Sequence, residues 1–217
     1  IPFSARQSLL HRNKDALDPP SPPTIETLDD SVGRLLAHLE RAGLRERTIV
    51  VFTSDNGGLH MPEGPHPRVT HNTPFRGGKG YLYEGGLRVA LIVQGPGLLR
   101  KRVLDAPFLN TDWLPTLLDL AGLPVPARLD GTGQGKLLRS GRGGDRTFYW
   151  HIPHYTNQGS RPSGAIREGR WKLVERYDDG IVELFDVSAD ISETRDRSSA
   201  EPGRAASLRE KLRAWRA

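Results

Sequence analysis

Cysteine is absent from all 217 residues. That excludes disulfides, thiolate zinc sites, iron–sulfur clusters and any cysteine-derived nucleophile within this chain. Long apolar runs are missing too: none approaches the roughly 20 residues of a membrane span. No signal-peptide pattern opens the sequence. Lysine is scarce, with six positions (14, 79, 101, 136, 172 and 211) among 31 basic residues.

What is plentiful is glycine and proline, 24 and 17 residues, well above the roughly 12% of an average chain. Apolar residues still make up 36%, enough for a packed core, so the composition suits a site built from loops on a rigid scaffold. The net charge is +5, and its distribution says more than its total. From His66 to Leu104 seven basic residues face one acid, Glu84, woven among glycines. From Arg195 to Ala217 seven basic residues face three acids along a helical pattern. A basic balance of this kind admits an anionic partner. No nucleic-acid-binding motif accompanies it.

The pattern along the chain predicts an α/β fold. After an irregular start, Thr24 is placed to cap a helix carrying Ile25, Leu28, Val32, Leu35, Leu36 and Leu39, stopped by Gly43. Thr48 to Thr53 is a continuous apolar run, the signature of a buried strand in a parallel sheet. Ser54 to Glu84 lacks periodicity, and a stretch of that length is functional or disordered. Leu87 to Val93 reads as a second strand, and Asp112 to Leu120 as a helix ended by Gly122. Residues 124–146 return to Gly, Pro and Arg and mark the best domain boundary. Four short strands follow, at 148–151, 165–167, 171–175 and 181–185, with turn chemistry at Glu168-Gly169 and Asp178-Asp179-Gly180. Ala205, Leu208, Leu212 and Trp215 line one face of a last helix. The expected architecture is part of a mixed or parallel sheet sandwiched by helices (residues 1–145), then a small antiparallel sheet packed with a helix (146–217). Trp113, Trp150, Trp171 and Trp215 are expected in the core.

Two segments carry candidate chemistry. Ser54-Asp55-Asn56-Gly57-Gly58 follows the first strand, where ligands bind in open α/β sheets. A carboxylate beside an amide oxygen offers two hard ligands suited to calcium or magnesium. The same four residues also suit a plain turn. In Thr73 to Val89, Lys79 stands between Gly78 and Gly80, where its ammonium and nearby backbone N–H groups can approach an anion. The spacing is neither a P-loop nor a dinucleotide fingerprint, and a solvated loop lysine fits it as well. Arg76 and Arg88 are expected to pair with carboxylates such as Glu84. Histidines 60, 66, 71, 151 and 154 lack metal-ligand spacing and suit loop or structural roles; His71 and His154 remain possible substrate contacts.

The order of these segments resembles the sulfatase family. Leu28 to Arg34, Thr48 to Gly58, Arg76-Gly77-Gly78-Lys79 through Arg88-Val89, Asp112 to Thr116, and Ala165-Ile166-Arg167 with Trp171-Lys172-Leu173 occur in sequence, across essentially the whole chain. The resemblance implies a hydrolase of sulfate esters, related to alkaline phosphatase, with a small C-terminal antiparallel domain. It implies Asp55 and Asn56 as two calcium ligands and Lys79 as the lysine that contacts the sulfate of an anionic substrate. It also implies a formylglycine nucleophile made within a C/S-x-P-x-R motif, and a first pair of metal-binding aspartates. Neither C-x-P-x-R nor S-x-P-x-R occurs in this sequence, and the aspartate pair has no counterpart, because Asp29-Asp30 falls inside a helix. As a separate, small departure, Ala90 stands where the family usually has proline. The chain thus resembles the C-terminal portion of a sulfatase, whose N-terminal half would be its partner. A periplasmic or secreted location is typical of the family. The alternatives are a phosphatase or phosphonate hydrolase of the same superfamily, or a non-catalytic remnant that binds sulfated polysaccharide through the basic loop.

Overall fold

The computed structural model describes residues 21–61 and 70–217. Residues 1–20 and 62–69, the latter with His66 and Arg68, lie outside the described residues. The elements run α1 (Ser21–Arg41), β1 (Val50–Thr53), α2 (Glu84–Leu87), β2 (Leu91–Gln94), α3 (Trp113–Leu120), α4 (Gly135–Ser140), β3 (Thr147–Ile152), β4 (Ser163–Glu168), β5 (Trp171–Arg176), β6 (Val182–Asp186) and α5 (Pro202–Arg216). β1 and β2 form a two-stranded sheet, and β3-β4-β5-β6 a four-stranded one. The fold is α/β, as expected from the pattern.

Three local expectations are corrected. α1 begins at Ser21, so Thr24 lies within the helix and not at its N-cap position. Prolines 22 and 23 fall in its first turn, where the missing N–H groups have no intrahelical partner to lose. The strand expected at 87–93 is shifted: Arg88 N–H donates to Glu84 O at 2.7 Å, closing a helical turn, and extended pairing starts only at Leu91. Residues 135–140, read as part of a boundary loop, form α4.

The chain divides into two compact units that do not follow chain order. One, residues 40–51 and 92–145, is held by polar contacts around α3 and α4. The buried Asp112 carboxylate accepts from Leu109 N–H (2.9 Å) and Thr132 N–H (2.8 Å), and Thr116 Oγ1 accepts from Gln134 N–H. Its buried apolar side chains are few, chiefly Leu98, Leu137 and Leu138.

The other unit, residues 1–39, 52–91 and 146–217, holds the main core. Its sheet is an antiparallel meander in which Ala165 faces Val174 and Leu173 faces Leu184. Successive residues point to opposite faces. One face, with Ile166, Leu173 and Leu184, packs under Leu208 and Leu212 of α5. The other, with Ala165, Val174 and Phe185, packs under Leu82, beside Tyr83 and Leu87. The sheet is therefore covered on both sides, by a helix and by the glycine-rich segment. That explains why β4 and β5 bury consecutive residues instead of alternating. Trp215 departs from expectation: it is 49% exposed and stacks on Tyr149 with ring centroids 5.0 Å apart.

Candidate functional site

β1 ends at Thr53 and delivers Asp55 and Asn56 onto a turn closed by Gly57 and Gly58. Asp55 Oδ1 accepts from Asn56 N–H at 3.0 Å, and Asn56 Nδ2 donates to Gly57 O at 2.9 Å. The second oxygen of Asp55 and the amide oxygen of Asn56 accept no hydrogen bond among the described residues. Two hard oxygens on adjacent residues are thus left for an outside donor or a cation.

The turn is joined to the lysine loop through backbone. Gly57 N–H donates to Gly86 O (3.0 Å), and Lys79 N–H donates to Gly58 O (3.1 Å). Asn72 completes the joint: its Oδ1 accepts from Gly58 N–H (2.9 Å), while Nδ2 donates to Gly58 O (2.8 Å) and Gly77 O (3.0 Å). The approach is so close that a Cβ on Gly57 would lie 1.7 Å from Gly85 O, and one on Gly78 2.3 Å from Gly58 O. Only glycine permits these two backbones to touch. Asp55-Asn56 and Lys79, 23 residues apart in the chain, are held in one backbone cluster.

Lys79 itself is exposed. His71 is exposed beside Asn72. His154 is exposed on the connection after β3, two residues before Thr156. That connection reaches the lysine loop, since a Cβ on Gly80 would lie 2.9 Å from Thr156 Oγ1 and 3.1 Å from Gln158 Oε1. Among the described residues no hydrogen bond or ion pair joins either histidine to Lys79.

Beneath the loop lies a buried ionic cluster. Lys172, on β5, is fully buried, with Nζ 2.9 Å from Glu84 Oε1 and 2.9 Å from Glu193 Oε1. The second contact lacks the alignment of a hydrogen bond. Glu193 instead accepts from the Glu84 N–H at 2.6 Å through its other oxygen. Arg88 pairs with Glu84 at 3.0 Å, as the sequence led us to expect, whereas Arg76 pairs with Glu183 at 3.0 Å. Burial alone would raise the pKa of Glu84, but Lys172, Arg88 and Arg167 outweigh it and hold the carboxyl below its usual range. For Glu193 burial wins over Lys172 and the Glu84 N–H, and its pKa is raised. Burial and the Glu183 carboxylate together push the Tyr83 hydroxyl up.

The sequence reading missed Asn72 and the Glu84–Lys172–Glu193 cluster. Lys172 had a signal: period 2 puts it on the same face of β5 as Val174. Asn72 had none, since its three bonds are all to distant or loop backbone.

The sulfatase family model matches residues 23–123, and the model of the C-terminal region of N-sulphoglucosamine sulphohydrolase matches residues 77–216. The chain belongs to the sulfatase family. It matches the C-terminal portion of that family. A "Sulfatase" from Formosa agariphila is 33% identical over 88% of this chain and 38% of its own length. Mouse arylsulfatase K is 28% identical over 85% of this chain and 33% of its own. The crystal structure of Ps i-CgsB in complex with k-i-k-neocarrahexaose superposes with a TM-score of 0.76 and 26% identity, covering 99% of this chain and 47% of that one. The chain thus spans less than half the length of these sulfatases. Membership implies a divalent metal and a formylglycine. The oxygens of Asp55 and Asn56 fit one side of a hard divalent ion. Among the described residues no group of three or more His, Cys, Asp or Glu completes a metal site. No helix of the described residues is long and apolar enough to cross a membrane.

Proposed function

We propose that this chain is the C-terminal portion of a sulfuric ester hydrolase that acts on a sulfated carbohydrate or other sulfated organic substrate. Residues 1–145 belong to its α/β catalytic domain and residues 146–217 form the small α+β subdomain. Asp55 and Asn56 contribute two ligands to calcium, Lys79 binds the sulfate, and His71 and His154 contact the rest of the substrate. The N-terminal half of the same protein supplies the formylglycine nucleophile, and the whole is periplasmic or secreted.

The observation that carries this reading is the Asn72 joint, which holds the Asp55-Asn56 turn and the Lys79 loop in one backbone cluster. A bound divalent ion would supply positive charge against the sulfuryl oxygens. The chain's own part is to hold the Lys79 ammonium at the same oxygens, where charge develops as the ester breaks. The basic excess of the lysine loop, Arg76, Lys79 and Arg88 against Glu84, draws an anionic substrate toward them. The carbohydrate class is supported by the neocarrahexaose bound to Ps i-CgsB, whose fold this chain shares.

The test is turnover of an aryl sulfate in the presence of calcium. The 217-residue chain alone is expected to give none. The chain extended through its upstream reading frame is expected to turn over, and Lys79→Ala should lower its kcat/KM by about 100-fold or more. Turnover by the short chain, or an extended Lys79→Ala enzyme with unchanged kcat/KM, overturns the reading. Preference for a phosphate monoester over the sulfate would move the assignment to a phosphatase.

A further inference from the structure

The second basic cluster of the sequence, between Arg195 and Ala217, plays no part in the site around Lys79. Much of it gathers at one place. Arg209, Arg213 and Arg216 follow the i, i+4, i+7 spacing of one helix face and span about 10 Å along α5. With His151, Arg176 and Tyr177 of the sheet edge they line an open cleft of about 570 Å³.

The cleft holds more donors than its own acceptors can satisfy. Glu175, buried at its floor, offers a single oxygen to both Arg209 (2.7 Å) and Arg213 (3.0 Å). Arg216 has no carboxylate partner among the described residues and lies over the Tyr177 ring, 4.4 Å from its centroid. Tyr177 is fixed in turn by a 2.9 Å hydrogen bond between its hydroxyl and His151 Nδ1. At the rim, Arg176 is neutralised by Asp179 at 2.8 Å, and Arg161 reaches Asp178 and Asp179. Each guanidinium carries five N–H donors, so Arg213 keeps most of its own and Arg216 all of them. Three arginines against one buried carboxylate leave an excess of positive charge facing the cleft. Arg213 and Arg216 also sit in the last turn of α5, where the carbonyl ends of the helix stabilise them.

We propose that this cleft binds the anionic groups of a sulfated polysaccharide, through Arg213 and Arg216 and without Lys79. Guanidinium is planar, weakly hydrated and forked, and it pairs with two oxygens of a sulfate monoester at once. Two exposed guanidiniums one helical turn apart fit an anion repeated along a chain better than a single small ion. The choice of sulfate as the anion rests on the proposed function; the arginine cleft does not.

The test uses the full 217-residue chain and a heparin-derived dodecasaccharide on a biosensor surface. Its desulfated counterpart and a single-stranded oligonucleotide of the same charge serve as competitors. Arg213→Gln combined with Arg216→Gln should weaken binding by about tenfold or more. Lys136→Ala, at an exposed lysine outside both sites, should leave it unchanged, and Arg216→Lys should keep more of the affinity than Arg216→Gln. Both arginines are at the surface, so circular dichroism and the melting temperature of the double variant should match the parent. Unchanged affinity in the double variant, an equal loss of binding in Lys136→Ala, or equal competition by the oligonucleotide each overturns the proposal. Aryl sulfate turnover by the extended chain reports on the Lys79 site separately. If turnover fails while arginine-dependent binding holds, the hydrolase reading falls and the cleft stands.

Discussion

The four-stranded sheet and the glycine loop above it are packed against each other yet built on different physics. The sheet with α5 is held by side chains: Ile166, Leu173, Leu184 and Leu212 are wholly buried. Burial of each contributes roughly 1.5–3 kcal/mol. Among the described residues between Gly57 and Gly86, Leu82 is the one fully buried apolar side chain. The loop's shape comes from backbone hydrogen bonds, Asn72 and glycines whose missing Cβ lets chains touch. The contrast teaches that the candidate site is tied to the sheet by the packing of Leu82 and by ion pairs, Glu84–Lys172–Glu193 beneath the loop and Arg76–Glu183 beside it.

The severest way to break that link is Lys172→Met. It leaves the buried Glu193 without a cation and Glu84 with only Arg88 and Arg167, and should cost about 3–5 kcal/mol in urea unfolding. A loss below about 1 kcal/mol would mean that the loop does not depend on the sheet. Next comes Asn72→Ala, which strands the polar groups of Gly58 and Gly77 and should cost about 1–3 kcal/mol. Hydrogen exchange should show faster exchange at Gly58 and Lys79 while the sheet amides stay protected. If the sheet loosens equally, the two regions are a single cooperative piece.

Acid sharpens the comparison further. The folded pKa of Glu84 is depressed, so its contribution is present above the ordinary value of 4.5 and is lost as pH falls below it. Asp186 and Asp196 are depressed as well and act in the same direction. Glu193 is raised, so folding takes up its proton, and stability gains as pH falls toward 4.5. The denaturation midpoint should therefore pass through a maximum at mildly acid pH. Glu193→Gln should flatten the rise and Glu84→Gln should weaken the fall. A monotonic profile in the parent chain would contradict the opposed shifts.

The smallest effect on stability is expected from Lys79→Ala, within about 0.5 kcal/mol, because the side chain is exposed and its backbone bond to Gly58 remains. A melting temperature close to that of the parent checks it.

Much of the sheet was legible without coordinates. The four strands fall within one or two residues of the alternating and β-branched runs that mark them, and Gly169 and Gly180 take the positive φ that their turns require. Legibility failed where a segment's partners are remote. Gly85 and Gly86 look like flexible punctuation ahead of a strand. Instead Gly85 N–H donates to Arg76 O, and the segment turns into α2. Trp215 carries the spacing of a core residue yet stays half exposed, because α5 buries Leu208 and Leu212 while Trp215 covers only one face, stacked on Tyr149.

By itself the sequence determined the α/β class, the positions of the last four strands and of the final helix, and the residues Asp55, Asn56 and Lys79 by which the chain resembles the sulfatases. These are local matters, settled by periodicity, turn residues and motif. Only the tertiary structure decided that Asn72 joins the turn to the lysine loop, that Lys172 is shared by carboxylates from two distant segments, and that arginines of α5 meet His151 and Tyr177 across a cleft. Each of those depends on groups separated in the chain, by 14 residues for Asn72 and Gly58 and by 88 for Lys172 and Glu84, whose pairing is set by how the chain packs.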